Sequence, residues 1–68
     1  MDPNDAVLWT QGAWRCVIRA GPAGSARLAV LHGEQLVTAE ATVAGLLAKY
    51  RAEVLRQRVL RGDLRVQE

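Results

Sequence analysis

The sequence predicts an α+β domain: an antiparallel β-meander of three strands, or four if residues 7–10 also form one, followed by one long C-terminal α-helix packed on one sheet face. In the first part of the chain, apolar residues alternate with the period of two that strands require, and from about Thr42 onward they recur with a helical period. Segments containing glycine and proline separate the alternating runs, as they do in β-hairpins. At 68 residues the chain is one domain, 1–68, in which 1–5 and 63–68 are expected to be peripheral or poorly ordered.

The runs AWRCVIRA and ARLAVLH predict the central hairpin. In the first run, Trp14, Cys16 and Ile18 share one face of a strand. If Ala20 pairs with Ala26, a single apolar face extends across both strands, and a slip of one residue would destroy it. This register places Ile18 opposite Leu28, Cys16 opposite Val30 and Trp14 opposite His32.

The intervening GPAGS segment is interpreted as a hairpin loop and not as a phosphate-binding loop. Pro22 has a fixed φ and Gly24 can adopt a positive φ, as a tight loop requires. A phosphate loop leads into the N-terminus of a helix, whereas here a strand is predicted to follow. The adjacent Lys and Ser/Thr of a P-loop are also missing.

Two further chain reversals extend the meander. In HGEQ, Gly33 and Glu34 are predicted to form a turn, and in TQGA, Gln11 and Gly12 can close a two-residue turn. The first turn would place Val30 opposite Val37 and Leu31 opposite Leu36, and the second would place Trp9 opposite Trp14 and Val7 opposite Cys16. Whether residues 7–10 form a strand is left open.

The segment TVAGLLAKYRAEVLRQRVLRG predicts the helix. Thr42 can act as its N-cap, with Thr38 as the alternative, and Gly62 suits the position after the C-cap. At 100° per residue, one apolar stripe is predicted to cover the apolar face of the sheet. Its members are Val43, Leu46, Leu47, Tyr50 and Val54.

The helix has a second apolar strip, about 120° round from the first. One sheet covers only one stripe of a helix, so this strip is predicted to remain uncovered within a monomer. It consists of Ala44, Ala48, Ala52, Leu55 and Val59, and Arg51 and Arg58 lie between the two strips. The outer face of the sheet likewise mixes apolar side chains with arginines, namely Arg15, Val17, Arg19, Arg27, Ala29, Leu31 and Leu36.

These surplus apolar surfaces predict a partner. Because the core of so short a chain supplies only roughly 3–5 kcal/mol, the first hypothesis is a small non-enzymatic interaction module, either a homodimer or the partner of another protein. The interface is predicted at Ala48, Arg51, Ala52, Leu55, Arg58 and Val59. In the alternative, the C-terminal tail folds back over one surface through Leu64 and Val66. Whether self-association uses the helix or the sheet is left open.

Basic charge is concentrated on the helical segment. The net charge is only +2, yet residues 44–61 contain five basic residues and one acidic residue. Because basic helices can neutralise phosphates, the second hypothesis is a nucleic-acid-binding regulator. Its contacts would be Lys49, Arg51, Arg56, Arg58 and Arg61.

No catalytic, cofactor-binding or metal-binding residue is predicted, and no small-molecule substrate. One cysteine excludes an internal disulfide, and Cys16 and His32 are too few soft ligands for a metal site. We expect Cys16 to be a buried, inert thiol and His32 to be a solvent-facing turn residue. The RGD tripeptide at 61–63 is interpreted as the end of the helix.

No membrane or secretory signal is predicted. No apolar run reaches the ~18 residues that a membrane helix needs. The N-terminus MDPNDAVLW is acidic and lacks the charged region of a secretory signal. A cytoplasmic protein without membrane contact is therefore expected.

Overall fold

The computed structural model describes residues 5–43 and 45–65. Within them, four strands are followed by one α-helix: β1 (Asp5–Gln11), β2 (Trp14–Ala20), β3 (Ser25–His32), β4 (Gln35–Val43) and α1 (Leu46–Leu60). The strands form one antiparallel sheet in the order β1-β2-β3-β4, and α1 packs against one face of it. The predicted α+β class is confirmed, and residues 7–10 do form part of a strand.

The central hairpin has the predicted register. Ala20 pairs with Ala26, and the predicted pairs of Ile18, Cys16 and Trp14 with β3 follow from it. Between the strands lies a short 3₁₀ turn (Pro22–Gly24), in which Gly24 has φ +77°. The hydroxyl of Ser25 donates to the Pro22 carbonyl over 2.7 Å and closes the loop before β3 begins. The GPAGS segment is thus a hairpin loop, as predicted.

Strand β1 pairs with β2 in a register that differs from the prediction. Gln11 pairs with Trp14, so the turn consists of Gly12 and Ala13 and not of Gln11 and Gly12. A bulge at Leu8 then sets Trp9 opposite Cys16, and the predicted pairing of Trp9 with Trp14 is wrong. A bulge places two residues opposite one. As a result, the neighbouring side chains Leu8 and Trp9 both contact the core.

Strand β4 contains the second bulge. Leu31 pairs with Leu36 as predicted, but Val30 pairs with Thr38 because Val37 is the extra residue. The predicted pair of Val30 and Val37 is therefore wrong. Beyond the bulge, the side of β4 facing the helix presents polar residues, including Glu40, which pairs with Leu28.

Helix α1 starts later than predicted and ends where predicted. Thr42 and Val43 belong to β4, and Gly45, with φ +106°, precedes the helix. The predictions of Thr42 or Thr38 as the N-cap are thus both wrong, because these residues form strand pairs with β3. At the other end, Gly62 has φ +77°, its N–H donates to the Val59 carbonyl, and the Asp63 N–H donates to the Arg58 carbonyl. These two bonds form a Schellman motif and confirm Gly62 as the residue after the C-cap.

The helix packs on the sheet through the opposite strip to the one predicted. Ala48, Ala52 and Leu55 are only 1–3% exposed, whereas Leu46 and Tyr50 are 84% and 64% exposed. The sheet side of the interface already carries bulky side chains, and small residues on the helix let the two backbones approach closely. The bulky side chains on that side are Leu8, Trp9, Trp14, Ile18, Leu28 and Val30.

The C-terminal tail contributes to the core. Leu64 is half-buried and packs against the buried cluster. Val66, the other predicted contact of the tail, and Ala44, predicted in the second helix strip, lie outside the described residues. The tail thus folds back as far as Leu64, but on the side of the sheet that the helix already covers.

Candidate interaction surfaces

The outward side of α1 carries four apolar residues, Leu46, Leu47, Tyr50 and Val54, which we call the outward stripe. The first three are 51–84% exposed, and Val54 is half-buried. At 100° per residue, the stripe lies on the side of the helix opposite Leu55 and Ala48. It is therefore a bulky apolar surface that the sheet of its own chain does not cover.

An indole hydrogen bond fixes this orientation of the helix. The Trp9 Nε1–H donates to the carbonyl of Ala52 over 2.8 Å, in the middle of the buried strip. The bond joins residues 43 positions apart in the chain. A rotation of α1 that buried the outward stripe would break it and would leave a half-buried indole N–H without its acceptor.

Charged side chains border the outward stripe on both flanks. On one flank Arg51 donates to both carboxylate oxygens of Glu40, at 3.0 and 3.2 Å, and these bonds raise the pKa of its guanidinium. Arg58, two helical turns further along the same flank, is exposed and has no ion-pair partner within the described residues. On the other flank, Arg56 and Gln57 donate to Glu53, which lowers the pKa of that carboxyl.

The second surface is the face of the sheet turned away from α1, which we call the open face. The strand pairings place on it all seven residues predicted for the outer face of the sheet. They also add Asp5, Val7, Thr10, Ser25, Ala39, Ala41 and Val43. A shallow depression of about 250 Å³ lies between its arginines and small side chains.

Three arginines dominate the charge of the open face. Arg19 donates to both carboxylate oxygens of Asp5, at 2.7 and 3.1 Å, and so holds the pKa of that carboxyl below its usual value. Arg15 and Arg27 are exposed and form no ion pair with any of the residues described. Arg19 and Arg27 are directly opposite each other on β2 and β3.

No protein-family model, curated protein or solved structure matches this chain. What its surfaces contact is therefore derived from their own side chains. Within residues 5–43 and 45–65, no helix has both the length and the apolar character needed to cross a bilayer.

The residues predicted at an interface lie mostly in the core. Ala48, Ala52 and Leu55 are buried against the sheet of their own chain, and Val59 is half-buried beside them. The predicted exposed interface is wrong at these four positions, because the sheet of the same chain packs closely against the alanines and covers them. Arg51 is half-buried on Glu40, and the exposed apolar surface is the outward stripe instead.

The cations predicted to contact nucleic acid are not brought together. Three of them have carboxylate neighbours: Arg51 with Glu40, Arg56 with Glu53, and Arg61 with Asp63 at 3.5 Å. Lys49 and Arg58 remain, and nine residues of an α-helix place them on opposite sides of α1. The helix therefore offers no continuous cationic surface. On the sheet, by contrast, Arg15, Arg19 and Arg27 share one face, and their spacing by even numbers of residues along the strands is the signal for this placement.

The two residues with the most reactive side chains are held by the core. Cys16 is fully buried, as expected, and burial together with the charge of Glu40 raises its pKa to about 11. His32 is half-buried and not solvent-facing as expected, because its ring meets that of Trp14 edge-on at 4.9 Å. Among the described residues, no group of His, Cys, Asp and Glu is arranged to hold a metal ion.

Proposed function

We propose that this protein is a small, non-enzymatic interaction module that forms a homodimer through the outward stripes of two α1 helices. The observation that carries the proposal is the exposure of Leu46, Leu47 and Tyr50, at 84%, 51% and 64%. Burial of a large apolar side chain is worth about 1.5–3 kcal/mol. A second copy that covers these side chains would add this stabilisation to a domain with a small core.

The positions of the stripe on the helix favour a second copy as the partner. Leu47 and Val54 are seven residues apart and take two successive a positions of a heptad repeat. Tyr50 lies between them at the d position. Glu53 takes the g position of this heptad, and Arg58 takes the e position of the next one. Parallel helices place a g residue beside the e residue five positions later in the partner. Glu53 of one copy would thus meet Arg58 of the other, in both directions across a two-fold axis.

The small size of the stripe sets the expected strength of the dimer. Stable interfaces bury roughly 800 Å² per partner, and four side chains on a four-turn helix cover less than that. We therefore expect a dimer that forms in the micromolar range and dissociates on dilution. The helix is already folded against the sheet, so pairing does not have to supply the free energy of helix formation.

Sedimentation velocity over a micromolar concentration series tests the proposal. The wild-type chain should shift from monomer towards dimer as its concentration rises, and Leu47→Glu should remain monomeric. The matched control is Leu36→Glu on the open face, where the wild-type side chain is 57% exposed. This control should dimerise like the wild type. A wild-type monomer at every concentration, or equal loss of dimer in both variants, would refute the proposal.

A further inference from the structure

The middle of the open face is an apolar band that crosses all four strands. The strand pairings align one residue from each strand in a row, with two leucines of β3 and β4 beside them. These residues are Val7, Val17, Ala29, Ala39, Leu31 and Leu36. The depression of about 250 Å³ lies over most of this band. Because a cavity of roughly 150 Å³ can hold a benzene ring, the band has room for a large apolar side chain from a partner.

Two cations lie on opposite sides of this band. Arg15 precedes Val17 by two residues on β2, and Arg27 precedes Ala29 by two residues on the antiparallel strand β3. Both arginines are exposed, and neither has an ion-pair partner among the described residues. The open face therefore combines an apolar centre with one unneutralised guanidinium group on each side.

The backbone of the sheet favours a helix over a lone extended segment as the partner. Strands β2 and β3 lie inside the sheet and pair with a neighbour on both sides. An extended segment lying on this face would lose water from its own N–H and C=O groups without gaining hydrogen bonds to the sheet. A helix satisfies these groups internally and brings only side chains to the surface. Helix α1 packs on the opposite face in this way.

The charges of this chain disfavour a second copy as the occupant of the open face. Helix α1 contains four basic residues and one acidic residue, so it would bring positive charge towards Arg15 and Arg27. Two open faces packed together would also bring arginines towards arginines, and like charges across an interface are costly. A helix with acidic flanks would instead complement the charge of the face.

We propose that the open face binds an acidic, amphipathic α-helix of another protein. Leu31 and Leu36 contact the apolar side of that helix. Arg15 and Arg27 pair with carboxylates on its two flanks, since a guanidinium group can donate two hydrogen bonds to one carboxylate. The bound helix would complete three layers, with the sheet between two helices. The open face is separate from the outward stripe, so the monomeric variant Leu47→Glu retains it.

Fluorescence anisotropy with a labelled synthetic peptide tests this proposal. The peptide is an amphipathic helix with leucines along one side and glutamates on both flanks, and a second peptide has lysine in place of every glutamate. Leu36→Glu should weaken binding of the acidic peptide roughly 10- to 100-fold, because it removes an apolar contact and adds a like charge. Leu47→Glu, the matched control on the outward stripe, should bind the acidic peptide as the wild type does.

A pair of double variants isolates the role of charge. Arg15→Gln with Arg27→Gln should weaken binding about 3- to 10-fold and remove most of its dependence on salt. Lys49→Gln with Arg58→Gln removes the same charge from the helix side and should leave the affinity unchanged. Circular dichroism checks that each variant is folded.

Three results would overturn the proposal. The first is no binding of the acidic peptide, whether or not the protein binds vesicles of anionic lipid. The second is equal binding of the acidic and lysine peptides, since the arginines would then not select the partner. The third is an equal loss of affinity in Leu36→Glu and Leu47→Glu, since the peptide would then not be bound on the open face.

Discussion

The two sides of helix α1 differ in residue size and in what covers them. The buried side is built on Ala48, Ala52 and Leu55, and the outward side has the larger residues Leu47 and Tyr50. Both sides are apolar, so hydrophobicity alone does not decide which one packs on the sheet. The sheet contributes the bulk of the interface, two tryptophans included, and the helix contributes the space. Size complementarity therefore selects the buried side and leaves the bulkier residues exposed.

Truncation of one leucine on each side of α1 should affect stability unequally. Leu55→Ala should destabilise the fold by about 2–5 kcal/mol, since it removes buried methyl groups and leaves a cavity. Leu47→Ala should change the stability of the monomer by less than about 0.5 kcal/mol, because its side chain is half exposed. Urea denaturation, at protein concentrations below those at which the proposed dimer forms, measures both values. Equal destabilisation by the two variants would contradict the assignment of the buried side.

The stability of the fold should fall at alkaline pH because of the thiol beneath the helix. The pKa of Cys16 is raised from 9.0 to about 11 in the folded state, so its neutral form is favoured by folding. The resulting stabilisation is present in full below pH 9 and is lost as the pH rises towards 11. By pH 11 the loss from this one group should reach about 2 kcal/mol.

Chemical denaturation at pH 8 and pH 11, for the wild type and Cys16→Ala, measures this contribution. The alanine variant is the control for all other groups that titrate in the same range. Its stability should fall less between the two pH values than that of the wild type. The same fall in both proteins would show that the thiol is not desolvated by the helix and the sheet.

The indole hydrogen bond of Trp9 should contribute to the stability of the packing between α1 and the sheet. Trp9→Phe keeps an aromatic ring in the core but removes the donor to the Ala52 carbonyl. The expected loss is about 1 kcal/mol from the hydrogen bond, with a further contribution from the smaller ring. Thermal unfolding measures this effect, and Trp14→Phe is the comparison, because the contact of Trp14 is with the ring of His32. An unchanged melting temperature for Trp9→Phe would rule out the bond as an anchor of α1.

The central hairpin could be predicted from the sequence because only one register keeps its apolar face continuous. Alternation fails at the two bulges, where adjacent residues are both apolar: Leu8 precedes Trp9, and Leu36 precedes Val37. A pattern of period two cannot decide which of two adjacent apolar residues is the extra one. Their adjacency was nevertheless a signal for a bulge.

The helix orientation could not be predicted from periodicity alone. Two apolar strips run along α1, and the period of 3.6 describes both equally well. The choice between them depends on the volume available above the sheet, which follows from where Trp9 and Leu8 point after the β1 bulge. Periodicity therefore places the outward stripe in the core and the core residues at the interface, and both placements are wrong.

Disulfide cross-linking of single-cysteine variants tests most directly whether the outward stripe is the contact between two copies. In a Cys16→Ala background, Leu47→Cys places a thiol at an a position, where parallel helices bring the two equivalent residues within disulfide distance. Leu36→Cys, on the open face, is the matched control. Mild oxidation should convert Leu47→Cys to a covalent dimer and leave Leu36→Cys monomeric. No cross-link at position 47, or equal cross-linking at both positions, would contradict the pairing of outward stripes.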